Sequence, residues 1–184
     1  MANSALIIID LINDFVTGKF GNPRAQAVVL RTKELLQAAR NEGMRIVYVT
    51  DAHLPGIDKE FEVWGAHAEK GTKGAEIVPE LEPMENEIHL YKRRYSAFYA
   101  TGLDAILREL DIKEIMLTGV LTNICIQHTA ADAFFRGYQV IIPLDCVDAL
   151  TDEEQEYSLS YIDKMYNADI TTSDELIRKI GEQR

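Results

Sequence analysis

Hydrophobic residues in this chain follow two rhythms. Short, nearly continuous apolar runs end in polar residues, and longer stretches with helical spacing lie between them. The run Ala-Leu-Ile-Ile-Ile before Asp10 predicts a buried strand over residues 5–10. Residues 23–41 then place Ala27, Val28, Leu30, Leu35, Leu36 and Ala39 on one broad face, the spacing of an amphipathic helix, and Gly43 ends it. Residues 45–50 predict a second strand and 87–91 a short third one. A helical pattern over 103–110 leads to a strand over 115–118, a sharp turn at 119–122 and a helix over 123–136. Another strand follows over 138–142. Thr151-x-x-Glu154 and Thr172-x-x-Glu175 are capping-box signatures that open the last two helices.

Strands alternating with helices predict a three-layer α/β/α arrangement, a Rossmann-like, mostly parallel sheet covered on both faces. The 184 residues suit a single domain over 1–184, with no repeat and no linker. Sheets of this kind receive ligands beyond the carboxyl ends of their strands. Asp10, Asp51, His53, Lys92 and Cys125 all fall at such ends, so they should converge on one rim. The segment 51–85, rich in charge, glycine and proline, is far longer than an ordinary connection and therefore reads as functional.

Composition narrows the classes. No apolar run reaches the roughly 20 residues of a membrane span. No basic region precedes the first apolar run, so it reads as a strand and not a signal peptide. Two cysteines give no disulfide framework, which points to the cytoplasm. A net charge of −11 argues against nucleic acid and anionic membranes as partners. No Gly-x-Gly-x-x-Gly follows the first strand, and Gly71-Thr-Lys-Gly74 lacks the phosphate-loop pattern, so no nucleotide cofactor is expected.

The chemistry centres on Cys125. At the first turn of a helix a thiol should ionise more easily, beside N–H groups able to hold an oxyanion. The bland alternative is a buried cysteine packing as a small apolar group. Asp10 could accept the thiol proton, and Lys92 could favour thiolate and carboxylate over their neutral forms. Singly, Asp10 could merely end a strand, and Lys92 could be one solvated charge of Lys92-Arg-Arg94.

Three blocks carry a resemblance: Ala5-Leu-Ile-Ile-Ile-Asp10-Leu-Ile-Asn-Asp-Phe15, Lys92-Arg-Arg-Tyr-Ser-Ala-Phe98, and Gly119-Val-Leu-Thr-Asn-Ile-Cys125 with its continuation to Ala133. Together they resemble the isochorismatase-like cysteine hydrolase superfamily, which includes nicotinamidases, pyrazinamidases and carbamoyl-amide hydrolases. The resemblance implies a catalytic triad with Cys125 as nucleophile, Asp10 as base and then acid, and Lys92 as their electrostatic partner. It implies a cis peptide at Val120–Leu121 and an oxyanion hole from the Leu121 and Cys125 N–H groups. Members that cleave a vinyl ether lack the cysteine, so amide hydrolysis is the expected reaction. Thr129 and Asp132, on the nucleophile's helix, read as structural.

Asp51-Ala-His53 places two ligand types on one face of an extended segment, and His67 lies seven residues after Glu60. Imidazoles with carboxylates suit a divalent metal, zinc first. Metal-dependent nicotinamidases are similar at Asp51, His53, Glu60 and His67, with one departure: Gly65 stands where proline usually follows the tryptophan. The alternative is that Asp51 and His53 only hydrogen-bond within the loop. Phe15, Trp64 and Tyr95 are candidate walls of the substrate pocket. The expected activity is hydrolysis of a small carboxamide through a thioester, nicotinamide first. The alternatives are a metal-independent hydrolase of another amide or N-carbamoyl compound, and a non-hydrolytic metabolite-binding or thiol-sensor domain. A homo-oligomer, dimer or tetramer, is expected by the same resemblance, with residues 144–150 as a candidate contact.

Overall fold

The computed structural model describes residues 3–182. Seven strands, β1 (Ser4–Ile9), β2 (Arg45–Asp51), β3 (Ile88–Lys92), β4 (Glu114–Val120), β5 (Gln139–Pro143), β6 (Val147–Asp148) and β7 (Asp169–Thr171), form one sheet. Its order is β3-β2-β1-β4-β5-β7, with β6 alongside β4, and every strand pairing is parallel. The helices are α1 (Asn13–Val16), α2 (Pro23–Asn41), α3 (Glu60–Trp64), α4 (Leu103–Glu109), α5 (Gln127–Phe135), α6 (Asp152–Tyr166) and α7 (Ser173–Gly181). None is long and apolar enough to cross a membrane among the described residues.

Strand periodicity builds the two outer layers. Ile7, Ile9, Val47, Val49, Ile115 and Leu117 pack on α4, α5 and α6 through Leu103, Leu107, Ala130, Ala133 and Ile162. Their neighbours Leu6, Ile8, Ile46, Tyr48 and Met116 point the other way, onto Val28, Leu35 and Leu36 of α2 and Leu176 and Ile180 of α7. Successive side chains of a strand face opposite sides, so a strand covered on both faces must be apolar throughout. All six residues of β1 are buried. Both predicted N-caps form: the Thr151 and Thr172 side chains accept from the Glu154 and Glu175 N–H groups.

The structure departs from the expected elements in several places. Gly119 and Val120 do not turn. They extend β4 and pair with the unpredicted β6. Gly119 has φ +123, and a Cβ there would lie 1.8 Å from the Ile9 carbonyl oxygen, so β1 and β4 approach this closely only because the residue is glycine. The predicted helix over 123–136 begins as a π-helical turn, Thr122–Ile126, before α5. Such turns commonly mark functional sites. Lys92 closes β3 instead of following it, because its pairing with Asp51 continues the ladder by one residue. Finally β7, too short for a periodic signal, adds an edge beside β5.

Strand order reverses between β1 and β4: β2 and β3 lie to one side, β5 and β7 to the other. Connections leaving those two carboxyl ends diverge and open a crevice. The long segment after β2 folds over it, tied down by the Ile12–Ile77 and His53–Glu69 bridges and by Asn13, whose amide donates to the Lys73 and Glu76 carbonyls.

Candidate active site

Asp10 stands one residue past β1, at φ +56. This left-handed conformation is uncommon for a side-chain-bearing residue, with aspartate among those that tolerate it best. Its Oδ1 accepts from the Asp51 N–H at 2.8 Å, and its Oδ2 lies 2.7 Å from Lys92 Nζ. The same ammonium is 2.7 Å from Asp51 Oδ1 and 3.6 Å from Cys125 Sγ. Asp10, Lys92 and Cys125 are all buried. Three strand ends thus bring together the three residues that the sequence singled out.

Their electrostatics correct one expectation. The Cys125 pKa is not lowered by its place in the helix. Burial pushes it well above the ordinary thiol value, and Lys92 offsets this only in part against the charges of Asp10 and Asp51. The resting group is therefore a protonated thiol facing a carboxylate. Asp10 is itself raised to about 6, by burial first and by Asp51 second, against the pull of Lys92. Burial also opposes the Lys92 charge, yet its two carboxylates hold its pKa well above the usual lysine range.

Four candidate metal ligands gather beside this network. Asp51, His53, Glu60 and His67 each offer an atom within 4.8 Å of the others, and all four residues are buried. Neither His53 nitrogen has a hydrogen-bond partner, nor has Glu60 Oε1. The His53 ring is bracketed by Asp51 Oδ2 at 3.5 Å, Glu60 Oε2 at 3.7 Å and Asp58 Oδ2 at 3.4 Å. His67 Nδ1 contacts the Gly65 carbonyl at 2.7 Å, which assigns its proton to Nδ1 and leaves Nε2 with a lone pair. Orphaned buried donors with two imidazoles and two carboxylates fit a divalent cation such as zinc. Asp58 escaped sequence reasoning. It is buried, accepts from the Leu54 N–H at 2.7 Å and also faces Arg93 and Arg94. Its spacing from His53 matches no ligand motif, so only the fold of the loop reveals it.

A cavity of about 320 Å³ opens onto Cys125. Phe15, Trp64 and Tyr95 line it as expected, joined by Lys19, Phe20 and Ile124, which the sequence left unremarked. Trp64 Nε1 donates to the Tyr95 hydroxyl at 3.1 Å, which links the long loop to the segment after β3. Val120 and Leu121 also line the cavity, and the peptide bond between them is cis, as the resemblance implied. Thr129 and Asp132 are structural: Thr129 accepts from the Ala97 N–H, and Asp132 binds Ser96 and Arg136.

Comparison with known proteins agrees with this architecture. Residues 4–175 match the family model of the Isochorismatase domain. The isochorismatase family protein YaaI of Bacillus subtilis (strain 168) is 31% identical, over 97% of this chain and 98% of that protein. The crystal structure of N-carbamoylsarcosine amidase from Thermoplasma acidophilum superposes with a TM-score of 0.88 at 37% identity, covering 94% of this chain and 97% of that one. Nicotinamidase PncA from Bacillus subtilis superposes with a TM-score of 0.86 at 33% identity, covering 92% and 99%. The chain therefore belongs to the isochorismatase family of hydrolases.

Proposed function

We propose that the protein is a cysteine amidohydrolase of small carboxamides. The observation that carries this is the buried contact of one ammonium with both the Asp10 carboxylate, at 2.7 Å, and the Cys125 sulfur, at 3.6 Å, beside a cavity the substrate can enter. Asp10 takes the Cys125 proton as the sulfur attacks the amide carbonyl, so the charge created on sulfur forms next to Lys92. The Leu121 and Cys125 N–H groups hold the oxyanion. Asp10 returns its proton to nitrogen, the C–N bond breaks and ammonia leaves. Asp10 then takes a proton from water, which opens the thioester to give the acid and the free thiol. A raised carboxyl pKa of about 6 suits a group that must accept and return a proton near neutrality.

Nicotinamide is the first substrate reading. The rings of Phe15, Phe20, Trp64 and Tyr95 give the cavity flat apolar walls, and the donors beside it resemble those of metal-dependent nicotinamidases. A divalent ion held by Asp51, His53, Glu60 and His67 would supply an open coordination position for a ring nitrogen or a water. A second reading, an N-carbamoyl compound, is favoured by the similarity to an N-carbamoylsarcosine amidase and by the cationic Lys19 in the cavity wall. The thiol-sensor reading is disfavoured by a sulfur that is buried and held protonated. Half-exposed Leu144 and Leu150 support the homo-oligomer reading, which sedimentation would test.

Ammonia release from nicotinamide, pyrazinamide, N-carbamoyl compounds and biuret tests the whole. Turnover should vanish in Cys125→Ala and fall at least a hundredfold or so in Asp10→Ala. Ammonia release at the parent rate in Asp10→Ala would overturn the mechanism.

A further inference from the structure

We infer that Lys19 is an anion-recognising residue of the cavity, so that the protein selects small amides bearing a carboxylate remote from the scissile bond. The inference rests on the amidohydrolase reading for its chemistry, and within it favours the N-carbamoyl reading over nicotinamide. Lys19 lines the same cavity as Cys125. Its Nζ donates to the Trp64 carbonyl at 2.9 Å and the Ala66 carbonyl at 2.8 Å, and it stands 4.9 Å from the Phe20 ring centroid. An ammonium has three donors. Two are spent on neutral carbonyls, which leaves one N–H and the whole charge.

Among the described residues no carboxylate ion-pairs with Lys19. The cavity's two carboxylates are engaged deeper in the fold, Asp51 with Lys92 at 2.7 Å and Glu60 beside His53 at 3.7 Å. Lys19 is the one lysine or arginine in the cavity lining among the described residues.

The chain also makes room for it. Gly65 has φ +70, and a Cβ there would come within 3.0 Å of Lys19 Nζ. Proline, with φ fixed near −65°, cannot adopt this conformation. The glycine that departs from the nicotinamidase-like pattern is thus the residue that lets the carbonyls on either side of it converge on the ammonium. A neutral ring amide uses the aromatic walls and leaves this charge unanswered. An amide with a carboxylate uses both.

The test is calorimetric titration of the Cys125→Ala protein with N-carbamoylglycine and with its neutral amide, N-carbamoylglycinamide. N-carbamoylglycine should bind about tenfold more tightly or better, as expected for a hydrogen bond to a charged group. That preference should collapse when Lys19→Met is added and persist when Lys19→Arg is added. Equal affinity for the two ligands, no detectable binding of either, or an equal weakening of both in the Lys19→Met protein would overturn the inference. Catalysis is scored separately. The preference in binding without ammonia release by the intact enzyme would sink the amidohydrolase reading alone. Turnover of neutral amides without the preference would sink the role of Lys19 alone.

Discussion

Replacing Lys92 by methionine tests the centre of the site most directly. The side chain is 1% exposed, and it is the shared cation of two carboxylates, each 2.7 Å away. Methionine keeps much of the stem's volume and removes only the charge. Asp10 and Asp51 then face each other inside the protein without the ammonium they share. Removing one partner of a buried ion pair costs about 3–5 kcal/mol, mostly as the penalty of the charge left behind. For a chain of this length each kcal/mol lowers Tm by roughly 2–4 °C, so a drop of about 6–20 °C is expected at pH 7. The variant's carboxyl pKa values lie above those of the unfolded chain, so the fold regains stability as pH falls and they take up protons. The deficit should therefore narrow between pH 7 and pH 5. Calorimetric melts of both proteins at the two pH values read this out. Ammonia release should fall at least 100-fold, because Asp10 is then held protonated and cannot act as a base. A variant that melts within about 2 °C of its parent at pH 7 would refute the view that Lys92 neutralises a buried pair of charges.

Further outcomes follow from the same geometry. The pH profile of kcat/KM should rise through about pH 6, where Asp10 ionises in the folded protein; a flat profile from pH 5 to 8 would remove Asp10 as the base. Because that folded value lies above the ordinary 3.8, Asp10 stabilises the fold when protonated and loses this contribution as pH rises from about 4 through about 6, a dependence that Asp10→Asn should abolish in melts against pH. Gly119→Ala should fail to give soluble protein or lose more than about 3 kcal/mol in denaturant titration, since its methyl would fall 1.8 Å from the Ile9 carbonyl oxygen. Dialysis against zinc should leave one ion per chain by elemental analysis and raise Tm, and His53→Ala with His67→Ala should abolish both effects; a parent protein that retains no metal would contradict the four-ligand reading.

Much of this protein was legible in its linear order. Continuous apolar runs and helical spacing are local properties, so they set the elements, the fully buried β1 and the parallel α/β class. Strand ends carry the site in such a fold, so Asp10, Lys92 and Cys125 could be picked out before any coordinates. The short β6 and β7 could not, because two or three residues give no period and exist as strands only through their neighbours. The thiol's ionisation state is not legible in the sequence for a related reason. Helix position is visible in sequence, but desolvation depends on everything that packs around the sulfur, and here it is the larger effect. The loop over 51–85 has no periodicity to read, so its closure around His53, the contribution of Asp58 and the seating of Lys19 between two carbonyls belong to the tertiary structure alone. Local pattern fixes which side chains a strand end offers. Only long-range packing fixes which charges they meet and how much water remains between them.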